Sequence, residues 1–475
     1  MEQMAGANLE YADQTTLHPL GLIAVLCLGV CVLFVPRRWS VVPFLLIACF
    51  ISTAQRLVLF GADLTLLRIL VLFGFLRVLI RNEYQPFTWN LLDTLVTAWL
   101  LSQTAIYTLQ IGTTSALMNR LGFAFESLGC YFYFRTQIRD WKDVSSAITG
   151  CIWISVLVAV FFMIEWSTGR NLFAFFGGVP EITAVREGRL RCQGAFSHPI
   201  LAGCFWVSLL PLMACHWWKS PSDRRLAAVG VVCCLLIVAA CSSSTPVAGI
   251  FFALLGGGLF ALRRHLSLIR WGVVVLLVVL HFVREKPVWH LVSRVNIVGG
   301  STGWHRYHLM DAAIRHFGEW ALLGTPSTAH WGYGLNDVTN QYILEGVRGG
   351  LLSLLLFIGV LTAAFVKAGR LQRSVKTDRY RLYLFWALGV SLFVHCMNFI
   401  AVSYFGQIYV IFFLLLGMIS SLSPVFSPRA VMNNFGKSKM VPPMQEDIHR
   451  VPSGLVPVSD RPSCKGEFGA DKTID

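Results

Sequence analysis

Apolar runs approaching or reaching the roughly twenty residues that cross a bilayer recur along this chain near 18-35, 41-55, 62-80, 90-109, 115-134, 144-165, 199-217, 226-242, 246-262, 267-283, 347-366, 383-402 and 405-422. They predict an all-α, polytopic transmembrane helix bundle of about thirteen helices over 18-422. Most runs are separated by short polar turns. Two gaps, 166-198 and 284-345, are long and cannot sit in lipid, and the second reads as a large, partly helical loop. A segment 1-17 precedes the bundle. After Leu422 the pattern stops, and 423-475 is rich in Pro, Ser and charge without helical periodicity, which predicts a disordered tail. No fixed-period repeat is present, and no inverted pair of Gly/Pro-broken spans of the transporter kind.

The basic residues give this pattern a direction. If the acidic N-terminus is outside, inner turns carry Arg37, Arg38, Arg81, Arg135, Lys219 and the run from Lys367 to Arg381, and among short loops only Arg56 breaks the alternation. Both long loops then lie outside and the tail is cytoplasmic. Arg56, Arg68 and Arg77 lie near span ends, where they are expected to snorkel. Composition agrees: 55% of the 475 residues are hydrophobic and only 13% charged, against roughly 25% in a soluble domain. The net charge of +14 suggests no nucleic-acid partner, because the cations mark span ends and no soluble basic domain carries them. Of thirteen cysteines only Cys192 and Cys464 fall outside apolar segments. They are expected on opposite sides of the membrane, so no disulfide framework is supported. The N-terminus has no basic n-region and no small-residue cleavage site, so no cleaved signal peptide is expected.

Candidate chemistry concentrates in the two long loops. The short outer turns near 110-114, 243-245 and 403-404 carry no Lys or Arg, whereas 284-345 holds Arg284, Arg294, Arg306 and Arg315 with five histidines. Such a cationic, aromatic loop suits an anionic substrate at the bilayer surface. In the first loop Arg189 and Arg191 precede Ser197, His198 and Pro199; Pro199 suits the first turn of the next helix, with Ser197 as a simple cap. In the second, Trp304, Trp320 and Trp331 can stack on sugar or anchor the loop. His305, His308 and His316 can share a helical face near Asp311, but no Cys or Glu completes a recognised spacing, so no metal is expected.

Arg191, Gly194, Phe196, His198 and Pro199 spell R-x-x-G-x-F-x-H-P, which resembles the motif of the O-antigen ligase and polymerase superfamily of bacterial envelope proteins. A second block agrees: Arg306 on an expected helix, Trp320 to Gly324, Gly332 to Gly334, then Asn340, Tyr342 and Gly346 to Leu351. The resemblance spans roughly 190-365. It implies a multi-pass bacterial inner-membrane glycosyltransferase with its loops on the periplasmic face. Its partners would be an undecaprenyl-diphosphate-linked glycan, the lipid bilayer and other polysaccharide-assembly proteins.

Arg191 and Arg306 would bind the diphosphate, with His198, Asn340 and Tyr342 lining the substrate site; fixed arginine charge would replace a divalent ion, so no cofactor is implied. Where family ligases carry a histidine before the asparagine, this chain has Thr339. The catalytic base then falls to Asp337, preferred on proximity and with burial beside the loop tryptophans to tune it, or to His330. Asp337 reads equally as a helix N-cap. The missing histidine favours a polymerase or exopolysaccharide enzyme over a ligase proper. A transporter or flippase of a lipid-linked anionic glycan is the rival from another class.

Overall fold

The computed structural model describes residues 15–59, 62–84, 87–294, 303–375 and 377–423. The chain divides into a compact unit, Met1–Val425, and Phe426–Asp475; the expected tail after 423 and most of the N-terminal segment lie outside the described residues. The compact unit is mostly helical: α1 Pro19–Phe34, α2 Val42–Phe50, α3 Leu66–Ile80, α4 Leu91–Ile111, α5 Thr114–Gln137, α6 Trp141–Thr168, α7 Pro199–Cys215, α8 Pro221–Ala240, α9 Ser244–Gly258, α10 Leu266–Val283, α11 Gly303–Arg315, α12 Phe317–Trp320, α13 Gln341–Ser374, α14 Arg379–Phe399 and α15 Ile408–Ser421. Local chemistry sets the boundaries. Asn90 and Asp93 form a capping box at the start of α4, and glycines in the left-handed conformation, Gly112 and Gly169, stop α4 and α6.

Every predicted apolar run falls on a helix, but five helical segments are both long and apolar enough to cross a membrane: Trp141–Thr168, Pro199–Trp218, Arg263–Val283, Gln341–Ser374 and Arg379–Phe399. The nine-residue α2 rises only about 13 Å at 1.5 Å per residue, well short of a bilayer core of roughly 30 Å. The start of the expected 62-80 run is instead a hairpin, β1 Arg56–Leu59 paired with β2 Ala62–Thr65. Hydropathy counts apolar residues and is blind to this choice of backbone. The membrane character is plainest at α10, which buries none of its residues. An apolar helix with its whole circumference uncovered by protein requires a non-aqueous surrounding. At the other extreme α15 is buried on every side.

Three arginines expected to snorkel do not. Arg77 is fully buried and grips Glu83 at 2.7 Å, with Val32 and Val35 carbonyls accepting its remaining donors. Arg68 pairs with Glu126 at 3.3 Å, and Arg56 with Asp63 at 3.7 Å. Out of contact with water a partnered guanidinium is less costly than a solitary one, so packing overrides reach.

The second long loop folds on α13. Leu309, Ala313, Trp320, Trp331, Leu335 and Val338 form a small apolar core of their own with Leu344 and Val347. The helix breaks where the loop meets it: Gly349 and Gly350 leave helical geometry, and Gly350 takes φ +63°. A side chain at Gly350 would strike the Leu322 carbonyl at 2.3 Å. The released backbone is not left unpaired. Leu351 N–H donates to Ala321 O at 2.8 Å, and Thr325 N–H to Val347 O at 2.9 Å. Irregular backbone is tolerated there because protein encloses it.

Candidate functional site

The end of the bundle where α6 stops and α7 and α13 begin carries both long loops, and is called here the loop end. Glu165 organises the first loop. It is the one charged residue in the apolar run 144-165, and it is fully buried. Its carboxylate accepts from Thr183 Oγ1 at 3.0 Å, Gln193 N–H at 3.0 Å and Gly194 N–H at 3.1 Å. Three donors aimed at one carboxylate hold the 183–194 segment against α6. Gly194 has φ +59°, and a side chain there would meet the Phe162 ring at 2.6 Å, so the motif glycine answers both to backbone conformation and to space. Asn171 donates to Gly194 O at 2.8 Å and Gln407 to Ala195 O at 2.7 Å, which ties the motif to the α14–α15 turn.

This clamp presents Arg191 and His198. Arg191 is half-buried, and its Nε is enclosed without a hydrogen-bond partner among the described residues. Burial and then the neighbouring Arg186 hold its pKa below the ordinary arginine value. His198, not Ser197, caps α7: its Nδ1 accepts from Ile200 N–H at 3.2 Å, and Pro199 takes the first turn as expected. Burial first, then Arg191 and Arg186, push His198 down to about 4. It is therefore neutral at physiological pH, with Nδ1 engaged and Nε2–H free to donate to an anion.

Arg306 arrives from the other loop on α11 and is only 7% exposed. Its Nε donates to Ala401 O at 3.2 Å and its Nη2 to Thr245 Oγ1 at 3.1 Å, leaving three of the five guanidinium N–H donors. Burial lowers its pKa. Thr245 lies in the first turn of α9, and Cys192, next to Arg191, donates its N–H to Ala240 O at 3.1 Å at the end of α8, before Cys241. Arg191 and Arg306 thus border the same α8–α9 turn, Cys241–Thr245, from separate loops. Neither has a carboxylate within ion-pair distance among the described residues. Three other arginines, by contrast, are paired: Arg37 with Asp143, Arg77 with Glu83 and Arg135 with Asp93.

The remaining expected site residues divide. Asn340 caps α13, its Oδ1 accepting from Ile343 N–H at 3.1 Å while Nδ2 donates to Ile400 O at 3.0 Å. Tyr342 donates to Cys396 O at 3.1 Å. Their polar atoms are engaged in holding α13 to α14. Asp337 is exposed, not buried beside tryptophans, and is no N-cap. Its carbonyl accepts from His305 Nε2 at 3.0 Å, and His305 is the residue before Arg306. Thr339 Oγ1 is buried and unpartnered among the described residues. Trp320 and Trp331 are core residues of the loop, so of the three expected stacking rings only Trp304 is presented to the outside.

The histidines do not gather as their spacing suggests. His308 stacks on Trp304, and Asp311 pairs with Arg315 at 2.6 Å. His316 and His330 meet instead at Glu319, whose carboxylate takes His316 Nδ1 at 2.5 Å, His330 Nε2 at 2.8 Å and Trp331 Nε1 at 3.1 Å. The hydrogen bond from His316, then those from Trp331 and His330, pull Glu319 down to about 2. These three residues, with ligand atoms within 4.8 Å of one another, could hold a metal ion. Glu319 escapes a sequence reading because His330 returns to it only through the loop fold. Cys192 is buried, and burial followed by Glu165 pushes its thiol up to about 12, so it is inert.

Comparison of the chain with family models and with curated protein sequences finds no match.

Proposed function

We propose that this chain is a multi-pass glycosyltransferase of the bacterial inner membrane, moving or polymerising a glycan from a polyprenyl-diphosphate carrier, with its long loops on the periplasmic face. One observation carries the reading: Arg191 and Arg306 are withdrawn from water at one turn without a carboxylate, while Arg37, Arg77 and Arg135 are paired. A buried cation left without a counter-ion is costly unless an anion completes the site. A leaving diphosphate has the charge and the planar oxygen geometry that guanidinium donors match. His198 adds a neutral Nε2–H donor beside Arg191. The missing motif histidine favours polymerase chemistry over ligation to a lipid core; a lipid-linked-anion flippase would use the same cations without chemistry.

Asp337 is the preferred base. Its backbone is one hydrogen bond from His305, the neighbour of Arg306, and its carboxylate makes no ion pair among the described residues, whereas His330 is committed to Glu319. Asp337→Asn is expected to lower transfer by about a hundredfold with normal expression. Polymer yield in cells carrying the variant measures this; full activity in Asp337→Asn with loss in His330→Gln moves the base to His330.

Transfer is expected to survive EDTA, because guanidinium charge faces the leaving group. Activity abolished by EDTA and restored by one metal ion would overturn this and point to His316, Glu319 and His330.

Placing the long loops outside and the turn before α8 inside requires opposite labelling at the two ends of the bundle. Cysteine at exposed Ser327 should react with a membrane-impermeant thiol reagent in intact cells, and cysteine at exposed Ser222 should not. The reverse result sinks the topology.

A further inference from the structure

Two further arginines, Arg120 on α5 and Arg348 on α13, make no ion pair among the described residues. Arg120 lies two turns into α5 and is 7% exposed. Its guanidinium sits 4.0 Å from the centre of the Tyr107 ring on α4, and its Nε is buried with no hydrogen-bond partner among the described residues. Of the charged groups acting on it, the foremost is another arginine, Arg348 on α13. Tyr107 and Gln110 lie one turn apart on α4, and Gln110 reaches Val347 O beside Arg348, so two like charges border one stretch of α4, where desolvation adds to their repulsion.

Among the described residues, Glu345 is the carboxylate that acts on both, and it is already occupied. Its oxygens accept from Trp99 Nε1 at 2.7 Å, Gln103 Nε2 at 2.6 Å and Gln341 Nε2 at 2.6 Å. Neither arginine reaches it within ion-pair distance, so at least one positive charge stays in excess. Gln110, one helical turn beyond Tyr107, donates weakly to Val347 O at 3.5 Å, next to Arg348, while its own Oε1 is buried and unpartnered among the described residues. Arg348 is half-buried, which leaves a way in. Leu117 and Leu121, flanking Arg120 on α5, are exposed apolar residues, suited to lie along a lipid chain.

We propose that Arg120 and Arg348 form a second anion site, which takes a phosphate or diphosphate group carried on a membrane lipid. Tyr107 faces the guanidinium and Gln110 borders the site. Resting on the transferase reading, the site would hold a second carrier-linked substrate, because joining two lipid-borne units needs two phosphate sites on one chain. Guanidinium pairs bind phosphate oxygens bidentately, and an uncharged ligand would leave the repulsion unrelieved.

The test is binding, not turnover. Full-length protein in lipid nanodiscs is titrated with farnesyl diphosphate, and stoichiometry is read by native mass spectrometry. Two equivalents are expected. Arg348→Gln and Arg120→Gln should each weaken one equivalent by at least about tenfold, and Arg306→Gln the other. Arg348, being half-buried, is the variant less prone to misfold, and an unchanged unfolding temperature confirms that comparison. Inorganic diphosphate that fails to displace the probe assigns the site to a lipid-borne group; displacement at equal concentration keeps the anion site but gives it to a soluble phosphate. Wild-type binding in folded Arg348→Gln and Arg120→Gln overturns the proposal while leaving Arg191 and Arg306 untouched. Loss of one equivalent in a protein that never shows transfer keeps the site and removes the transferase reading.

Discussion

Replacing Arg306 or Arg191 by lysine is expected to reduce polymer formation by about a hundredfold or more while the protein still inserts. The magnitude is that of removing one preorganised donor from a site where charge develops. Lysine keeps the charge but loses the planar fork. At position 306 it must also serve Ala401 O and Thr245 Oγ1, which Nε and Nη2 now reach at 3.2 and 3.1 Å, from a single ammonium. Arg306→Lys should therefore lose both the ligand and part of the tether between α11 and the bundle. Arg191, whose Nε is unpartnered among the described residues, should lose binding with little change in stability. A chain-length assay on cells expressing each variant reads the activity, and thermal unfolding of the purified protein reads the tether. Full polymer length from both lysine variants would make these arginines structural.

Glu165→Ala should be nearly as damaging without touching any group proposed to meet substrate. The change strips the acceptor from the amides of Gln193 and Gly194, both buried. Each buried donor left without a partner costs roughly 1–3 kcal/mol. Thr183 loses its partner too, so the whole 183–194 segment should detach from α6 and carry Arg191 with it. A lowered unfolding temperature together with faster tryptic cutting at exposed Arg189 would show this. Glu165→Gln keeps one carbonyl oxygen and should fall between the two. An unaltered unfolding temperature in Glu165→Ala would mean that the backbone holds itself.

The two arms of the site are separated in sequence by more than a hundred residues, and different physics made each legible. The R-x-x-G-x-F-x-H-P segment was readable because its residues answer to local demands. Gly194 must be left-handed, Pro199 must open a helix, and Arg191 lies upstream of that boundary. In the second block only the apolar run after Gly346 was readable, as a helix. The break in α13 near its start, receiving Ala321 and Thr325 from the loop, depends on backbone that returns from far along the chain.

Apolar runs by themselves placed the helices outside the two long loops and marked those loops with the arginines in them, because burial in lipid selects residues one segment at a time. The tertiary structure alone decided which cations are neutralised. Residue type and local sequence do not tell which of Arg56, Arg68, Arg77, Arg120, Arg191 and Arg306 meets a carboxylate. The first three meet Asp63, Glu126 and Glu83, whereas the others meet ring faces, hydroxyls, carbonyls or another arginine. Pairing is a property of what packs opposite a side chain. The neutral tautomer of His198, the occupied amide of Asn340 and the exposure of Asp337 likewise follow from neighbours brought in by packing, which sequence spacing does not encode.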